Sequence, residues 1–263
     1  MTVKLTATLL AAAAALILTL AGCSRPSATA LPARSGPAYT LMQMNLCLSG
    51  LGSCYGRVAY PAVLNEAVAR IGQMHPDTVT FNEACRNDVA QIARRTGYHM
   101  AFARVIYGGR PLPCIHPGGR GLFGNAVLTR AAVVSSEAHE FAAQVGPERR
   151  VWLCVTTRGG VEACTAHLAS HDPVEAAANR PQCDELRALL ASRAVGHTLI
   201  FAGDLNRRGS CAPKGFWMRS DRSAAQDPGL QQVYGTGALR SPAAAVVPAV
   251  HTDHDILLVR ASR

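Results

Sequence analysis

The chain has 263 residues and a formal net charge of +9 at pH 7, and nearly all of its basic residues are arginine. This charge suits a polyanionic substrate or an anionic membrane face, and arginine suits bidentate contacts with phosphate. The sequence contains no internal repeat and no aromatic-rich stretch, which argues against a repeat architecture and against a reader of base sequence that works by stacking.

The N-terminal segment has the pattern of a targeting signal. Residues Met1–Gly22 combine one early lysine with an apolar run, which is typical of a secretory signal and too short for a membrane-spanning helix. The following Cys23 completes a Leu-Ala-Gly-Cys sequence that resembles the lipobox of bacterial lipoproteins, so we expect lipidation there. The alternative is an ordinary cleaved signal beside an incidental cysteine. Residues 23–38 predict a flexible tether, and 39–263 a single domain that the lipid anchors at the extracytoplasmic face of the cell membrane.

The first half of this domain alternates strands with helices. We predict strands at Tyr39–Met44, Thr78–Phe81 and His99–Ile106, helices at Pro61–Met74 and Asp88–Thr96, and a loop over Tyr107–Phe123. Each strand is a short apolar run, and each helix repeats its apolar residues at helical spacing.

The second half contains strands in adjacent pairs. We predict paired strands at Asn125–Thr129 and Ala132–Val134, a second pair at Val151–Thr157 and Val161–Leu168, and later strands beginning at Thr198, Leu230 and His254. Residues Asp172–Arg193 predict a mostly helical segment that breaks or restarts at Pro181, and Asp221–Gly229 a turn-rich stretch. This mixture favours an α/β (α+β) fold with two packed sheets covered by helices.

The cysteines indicate a disulfide framework. The chain has nine, and without Cys23 an even number remains in a chain predicted to be exported. The sequence leaves the pairing open. Proximity along the chain suggests Cys47–Cys54 and Cys154–Cys164, and the pairs Cys85–Cys114 and Cys183–Cys211 would complete the set. If these disulfides form, no thiol is left for catalysis.

Polar side chains stand at the ends of several predicted strands, where a buried strand has no structural need of them. They are Asn45, Glu83, His167 and the pair Asp204 and Asn206, and a further polar group, Thr252–Asp255, lies near the C-terminus. Residues two apart on an extended chain face the same way, so the side chains of Asp204 and Asn206 project together. A scaffold presents a functional site at one edge of its sheets in this way.

The order of these groups resembles that of the endonuclease/exonuclease/phosphatase superfamily, the deoxyribonuclease-I-like fold. The resemblance covers the chain from about Tyr39 to its end and rests on Met44-Asn45, Asn82-Glu83, Gly124-Asn125, Thr165-Ala166-His167-Leu168, Gly203-Asp204-Leu205-Asn206 and Thr252-Asp253-His254. It implies a four-layered αββα sandwich of two mainly antiparallel sheets flanked by helices. It also implies hydrolysis of a phosphoester, usually with Mg²⁺, with Mn²⁺ or Ca²⁺ as the other candidate ions.

The resemblance further implies a role for each residue. Asn45, Glu83 and Asp253 look like metal-site residues, Asp204 like the residue that orients or deprotonates the attacking water, and Asn206 like a donor to a phosphate oxygen. His167 resembles a histidine that contacts the phosphate or assists the leaving group, and His254 the terminal acid/base. The chemistry is consistent, because Mg²⁺ needs only one or two carboxylates beside substrate and water, and histidine can move a proton near neutral pH.

One position departs from the family pattern. In much of the family an aspartate on a strand before the terminal motif orients the last histidine, whereas the matching stretch here offers Gln231 or Gln232. Glutamine can accept a hydrogen bond from imidazole but cannot stabilise imidazolium by charge. The alternatives are a weaker catalyst, a different role for His254, or a shifted alignment in which Asp227 stands in.

Other functions remain open at this point. The spacing of Cys164, His167 and His171, with His251 and His254, is compatible with zinc, although Cys164 is better used in a disulfide. The domain could also be a non-catalytic surface module of the same fold. Among enzymes, the positive charge favours a nuclease acting on DNA or RNA. The alternatives are a sphingomyelinase-like phospholipid hydrolase and an inositol phosphate hydrolase. We expect the protein to act as a monomer.

Overall fold

The computed structural model describes residues 37–263. The predicted signal peptide, Cys23 and all but the last two residues of the predicted tether lie outside the described residues. The helices are α1 (Ala62–Met74), α2 (Arg86–Thr96) and α3 (Ala176–Arg193), with a short 3₁₀ helix at Gly52–Cys54. The strands are β1 (Ala38–Asn45), β2 (Thr78–Cys85), β3 (His99–Arg104), β4 (Ile106–Tyr107), β5 (Arg110–Pro111), β6 (Phe123–Thr129), β7 (Val133–Glu140), β8 (Glu148–Arg149), β9 (Val151–Thr157), β10 (Val161–Ala166), β11 (Thr198–Asp204), β12 (Trp217–Ser220), β13 (Gln231–Gly235), β14 (Arg240–Val247) and β15 (Ile256–Ser262).

Two six-stranded sheets form the centre of the molecule. The first has the strand order β14-β15-β1-β2-β6-β3 and the second the order β12-β13-β11-β10-β9-β7, while β5-β4-β8 form a small third sheet. The pairs β1–β2 and β10–β11 are parallel. All other strand pairs in the described residues are antiparallel.

Alternate residues of β11 show how the layers are arranged. Ile200 and Ala202 belong to the core that lies between the two sheets, whereas Leu199 and Phe201 pack into a separate core with Leu186 of α3. This alternation follows from the two-residue period of a strand that is buried on both faces. Helices α1 and α2 cover the first sheet in the same way. The predicted four-layered αββα sandwich is therefore confirmed.

Two predictions about neighbouring elements are wrong. The strands predicted at Asn125–Thr129 and Ala132–Val134 do not pair, because β6 already lies between β2 and β3, and β7 pairs with β9 in the other sheet. The helix does not break at Pro181, which lies inside α3. Contacts on both sides hold the helix there: Asn179 donates to Leu205 O at 2.9 Å, and Cys183 is in a disulfide. These tertiary contacts offset the hydrogen bond that proline removes.

Four disulfides are present: the two pairs that chain proximity suggests and the two that complete the set. They join Cys47–Cys54, Cys85–Cys114, Cys154–Cys164 and Cys183–Cys211. The Cys154–Cys164 bridge links directly opposed residues of β9 and β10. None of the helices in residues 37–263 has both the length and the apolar character needed to cross a membrane.

Candidate active site

The candidate site lies where the carboxyl ends of the two parallel strand pairs meet. Asn45 is the last residue of β1, Glu83 lies near the end of β2, His167 directly follows β10, and Asp204 is the last residue of β11. The sheets pack so that β1 contacts β11 and β2 contacts β10. Because parallel neighbours end on the same side of a sheet, four polar side chains from distant parts of the chain reach one edge.

Unusual backbone conformations aim these side chains. The pairing of β2 with β6 shifts register between Phe81 and Ala84, and Glu83 lies inside this bulge with φ of 51°. Asn206 and Cys47 also occupy the left-handed region, with φ of 50° and 48°. Residues other than glycine rarely adopt this conformation, and it concentrates at functional sites.

A buried amide, Asn82, ties the two sheets together beneath the site. Its Oδ1 accepts hydrogen bonds from Gln43 Nε2 at 2.8 Å and from the backbone N–H of Asp204 at 2.7 Å. Its Nδ2 donates to Asn125 Oδ1 at 3.0 Å and to Thr165 Oγ1 at 3.3 Å. A fully satisfied buried network of this kind is rigid, so it holds Asp204 in register with the first sheet.

Asn45 bridges two acidic side chains through its amide nitrogen. Its Nδ2 donates to Glu83 Oε1 at 2.9 Å and to Asp204 Oδ2 at 3.1 Å, while its Oδ1 accepts the N–H of Cys47 at 3.1 Å. The opposite amide orientation would set its oxygen against two carboxylates and its nitrogen against an N–H group. Asn45 is therefore placed to position the carboxylates.

The Cys47–Cys54 disulfide packs against two acidic residues. Cys54 Sγ lies 3.0 Å from Glu83 Oε2, and Cys47 Sγ lies 3.3 Å from Asp253 Oδ2. The sulfur atoms are bonded to each other, so they offer no thiolate to a metal, although they lie within 4.8 Å of the Glu83 carboxylate. Each of the two carboxylates instead packs against one sulfur atom of the disulfide.

The acidic residues of the site suit a divalent cation. Burial raises the pKa of Glu83 to about 7, and the charges of Asp253 and Asp204 add to the rise against a hydrogen bond from Asn45. Ionised carboxylates crowded in this way repel one another, and a bound cation offsets that repulsion. Oxygen donors are the ligands that Mg²⁺, Mn²⁺ and Ca²⁺ prefer, so Glu83 and Asp253 fit such an ion.

The two histidines of the site have opposite electrostatic surroundings. Burial would lower the pKa of His254, but Asp204, Asp253 and Glu83 outweigh it and raise that pKa above its ordinary value. His254 Nε2 lies 3.7 Å from Asp204 Oδ2. In contrast, burial and then the neighbouring guanidinium of Arg150 lower the pKa of His167 to about 3. One histidine is thus suited to carry a proton and the other to stay neutral.

Arg150 also fixes the tautomer of His167. Its Nη1 lies 3.0 Å from His167 Nδ1, and since a guanidinium can only donate, Nδ1 accepts and the ring proton is on Nε2. On the other side, Asn206 Nδ2 lies 2.9 Å from His167 Nε2 and donates to Leu168 O at 3.0 Å. Both nitrogens carry protons, so this contact is not a hydrogen bond, and two neighbouring N–H donors suit an anionic oxygen.

Asp204 is an ionised, oriented carboxylate. Burial alone would raise its pKa, but the imidazolium of His254 and hydrogen bonds from the Asn206 N–H and from Asn45 hold the pKa below its ordinary value. The Asn206 N–H reaches Asp204 Oδ1 at 2.9 Å. A buried carboxylate that stays ionised beside a donor pair can accept a proton from water.

Of the two glutamines considered above, Gln231 is the one that faces the site. It is directly opposite Asp204 in the β11–β13 pairing, so both side chains lie on the same face. Its Nε2 donates to Asp255 O at 2.6 Å and to Asp221 Oδ2 at 3.2 Å. Its Oε1 and His254 Nδ1 are both buried without a hydrogen-bond partner in the described residues.

The alternative of a zinc site that includes Cys164 is wrong. Cys164 is bonded to Cys154, so it cannot act as a thiolate ligand. His167 uses both ring nitrogens in contacts with Arg150 and Asn206. These are not the free donor atoms of a structural zinc centre.

The structure brings all seven predicted site residues to this edge: Asn45, Glu83, His167, Asp204, Asn206, Asp253 and His254. Sequence reasoning missed the contributions of Asn82 and Arg150. Asn82 belongs to the Asn82-Glu83 motif. A polar residue within a buried strand was the feature of the sequence that could have indicated its role. Arg150 directly precedes β9, and nothing in its sequence context distinguishes it from the other arginines.

Comparisons with known proteins give a family and a set of similar folds. The model of the Endonuclease/Exonuclease/phosphatase family matches residues 52–254. A search of curated protein sequences finds no match. Among solved structures, the catalytic domain of human Nocturnin with bound sulfate is 17% identical with a TM-score of 0.65, covering 86% of this chain and 93% of that chain. TDP2 from Caenorhabditis elegans is 17% identical with a TM-score of 0.61, covering 86% and 74%.

A bacterial structure gives the same result. The endonuclease/exonuclease/phosphatase from Beutenbergia cavernae is 18% identical with a TM-score of 0.62, and the alignment covers 86% of this chain and 72% of that chain. At these identities the structures establish a shared fold, while the family model covers most of the sequence. The chain therefore belongs to the endonuclease/exonuclease/phosphatase family.

Proposed function

We propose that the protein is an exported, metal-dependent phosphodiesterase whose preferred substrate is nucleic acid. Members of its family are generally phosphoester hydrolases and typically depend on a divalent metal. The observation that carries the proposal is the meeting of Glu83, Asp204, Asp253 and two histidines at one edge of the sandwich. Binding alone does not require carboxylates together with both a neutral and a protonated imidazole.

In this mechanism Glu83 and Asp253 would hold the cation, and Asn45 positions Glu83 and Asp204 through its amide nitrogen. A bound Mg²⁺ ion supplies Lewis-acid stabilisation of the charge that develops on the phosphate. His167 Nε2–H and the Asn206 amide donate to phosphate oxygens, which keeps the phosphorus centre aligned.

Proton transfer is assigned to the other two groups. Asp204, ionised and fixed by the Asn206 N–H, takes a proton from the attacking water. His254, whose pKa is raised by the surrounding carboxylates, delivers a proton to the leaving oxygen. The lowered pKa keeps Asp204 ionised and the raised pKa favours the protonated form of His254, so the two groups start in the states of a base and an acid.

Nucleic acid is the favoured substrate class because the chain is strongly basic. A related fold gives further support: the structure of TDP2 from D. rerio was determined with a single-strand DNA product, at 14% identity and a TM-score of 0.58. Phospholipid head groups and inositol phosphates are the alternative substrates. A non-catalytic module of the same fold remains the alternative outside the enzyme class.

Export and anchoring are part of the proposal. The four disulfides favour an oxidising compartment outside the cytoplasm, and the lipobox-like sequence ending at Cys23 favours a lipid anchor. We propose that the protein acts there as a monomer. Loss of membrane association in a Cys23→Ser variant tests the anchor, and the sedimentation behaviour of the protein tests the monomer.

A substrate panel tests the function. Plasmid DNA, RNA, sphingomyelin vesicles, inositol phosphates and bis-p-nitrophenyl phosphate are each incubated with the protein in Mg²⁺ and in EDTA. We expect EDTA-sensitive turnover that falls about 100-fold or more in Asp204→Asn. The matched control is Asp184→Asn, which changes a carboxylate on the exposed surface of α3. Absence of EDTA-sensitive turnover on every substrate, or full activity of Asp204→Asn, would refute the proposal.

A further inference from the structure

Two arginines lie on neighbouring loops beside the candidate site. Arg208 is two residues after Asn206 on the loop that leaves β11, and Arg222 lies on the loop that leads into β13. The two loops are joined by the hydrogen bond from Leu205 N–H to Leu230 O at 2.9 Å. Arg208 Nε also donates to Pro228 O at 3.1 Å, which holds this arginine against the second loop.

The buried Gln232 fixes the spacing of these loops. Its Nε2 donates to Arg207 O at 2.6 Å on the first loop and lies 3.4 Å from Gly229 O on the second. Its Oε1 accepts the hydroxyl of Tyr234. Gln232 therefore faces away from Asp204 and its hydrogen bonds hold the two arginine-bearing loops in a fixed relation.

The two arginine side chains flank the same glycine. A Cβ atom at Gly229 would lie 3.4 Å from Arg208 Cγ and 3.8 Å from Arg222 Cγ. Both arginines are exposed. Within residues 37–263, neither arginine forms an ion pair, and the side chain of Arg222 has no hydrogen-bond partner.

Neither Asp221 nor Asp227, the acidic residues on the second loop, forms an ion pair with these arginines within residues 37–263. Asp221 is buried and uses its carboxylate on the backbone N–H groups of Gly229 at 2.8 Å and Gln231 at 3.1 Å. The two side chains start from the same place beside Gly229, and two neighbouring guanidinium groups without an ion-pair partner favour a bound anion. Arginine is the side chain best suited to grip phosphate oxygens.

We propose that Arg208 and Arg222 form a subsite for a second phosphate of the substrate, next to the phosphate held by Asn206 and His167. The inference rests on the proposed phosphodiesterase function and narrows its substrate to a chain of phosphodiesters, of which single-stranded nucleic acid is the representative. A lipid or other ester with a single phosphate has no group to place there. The subsite is preformed, because its loops are fixed by Gln232 and by the Leu205–Leu230 hydrogen bond.

The test compares substrates with many phosphates and with one. The double variant Arg208→Gln/Arg222→Gln and the wild-type full chain are assayed on a single-stranded octanucleotide and on bis-p-nitrophenyl phosphate over a range of salt concentrations. Each phosphate contact on a single strand contributes about 0.7 to the slope of log affinity against log salt. Because the two arginines hold one phosphate, we expect the octanucleotide slope of the double variant to be shallower by about 0.7, with a lower ratio of octanucleotide to bis-p-nitrophenyl phosphate kcat/KM.

The matched control is Arg158→Gln/Arg240→Gln, which removes the same charge at the opposite end of the strands. Arg158 lies in the turn between β9 and β10, and Arg240 pairs with Ser262 beside the start of β1. Anisotropy of a labelled octanucleotide in EDTA gives a second readout that does not depend on turnover. An equal salt slope in both double variants overturns the subsite while leaving phosphodiesterase activity standing. Absence of turnover on both substrates in the wild type would overturn the proposed function itself.

Discussion

Replacing Glu83 by glutamine should stabilise the metal-free protein at alkaline pH. Burial, and then the charges of Asp253 and Asp204, raise the pKa of Glu83 from 4.5 to about 7. An acid whose pKa rises on folding stabilises the native state below its unfolded pKa, and this contribution is lost as pH rises through the folded value. A rise of this size corresponds to about 3 kcal/mol. The wild-type protein should therefore lose about that much free energy of unfolding between pH 4.5 and pH 8 from this residue.

Urea unfolding in EDTA at pH 5 and pH 8, with the disulfides intact, measures this effect. Most of the loss of stability falls between these two pH values. The free energy of unfolding of the wild type should therefore fall by about 2 kcal/mol more than that of Glu83→Gln between pH 5 and pH 8. The control is Glu140→Gln, which changes an exposed carboxylate outside the site. Equal pH dependence in the wild type and Glu83→Gln would refute the inference that this carboxylate is buried and crowded.

Divalent cations should reverse the effect. An ion that binds the native state adds stability in proportion to the logarithm of its concentration over its dissociation constant, and it binds the ionised carboxylate. Mg²⁺ should therefore stabilise the wild type more at pH 8 than at pH 5, and it should stabilise Glu83→Gln little at either pH. An equal Mg²⁺ effect on the two proteins would place the cation away from Glu83.

Three further substitutions have expected outcomes. Arg150→Met should lower the free energy of unfolding by about 3 kcal/mol, because it leaves Glu175, now bonded at 2.9 Å, without its partner; urea unfolding measures this. Asn82→Leu should lower the free energy of unfolding by about 3 kcal/mol or more, because it leaves four buried groups unpaired. The same assay should show a smaller loss for Asn87→Leu, whose side chain makes one exposed hydrogen bond. Gln231→Met should lower kcat on bis-p-nitrophenyl phosphate about tenfold with little change in KM, because Gln231 Nε2 holds the backbone oxygen of Asp255, the residue directly after the terminal histidine; a change confined to KM would contradict this.

The strands that the sequence did not predict share a position in the fold. Strands β12 and β14 are the outermost strands of their sheets. Strand β14 runs from Arg240 to Val247 and contains Pro242 and three alanines, a composition with little β propensity. An edge strand tolerates proline because one side of it needs no partner. Central strands such as β11 were predictable because both of their faces are buried and apolar.

The candidate site was predictable in its residues but not in their orientations. The motifs supplied Asn45 and Asp204, yet no pattern shows that Asn45 presents its nitrogen to two carboxylates. That orientation depends on the Cys47 N–H, which becomes available only through the left-handed backbone at the end of β1. Arg150 was missed for a related reason. Its contact with His167 joins residues next to two different strands, and residue spacing along one strand cannot predict such a contact.

The surroundings of Gln231 explain how a glutamine can occupy the position where much of the family has an aspartate. A carboxylate at Gln231 would lie beside Asp221, whose own pKa burial raises to about 6, and near Asp204. Three neighbouring buried carboxylates would oppose one another's ionisation. A neutral amide avoids this, because its Nε2 satisfies Asp221 and Asp255 O without adding a charge. The charge that raises the pKa of His254 comes from Asp204, Asp253 and Glu83, so the glutamine is compatible with a proton-donating histidine.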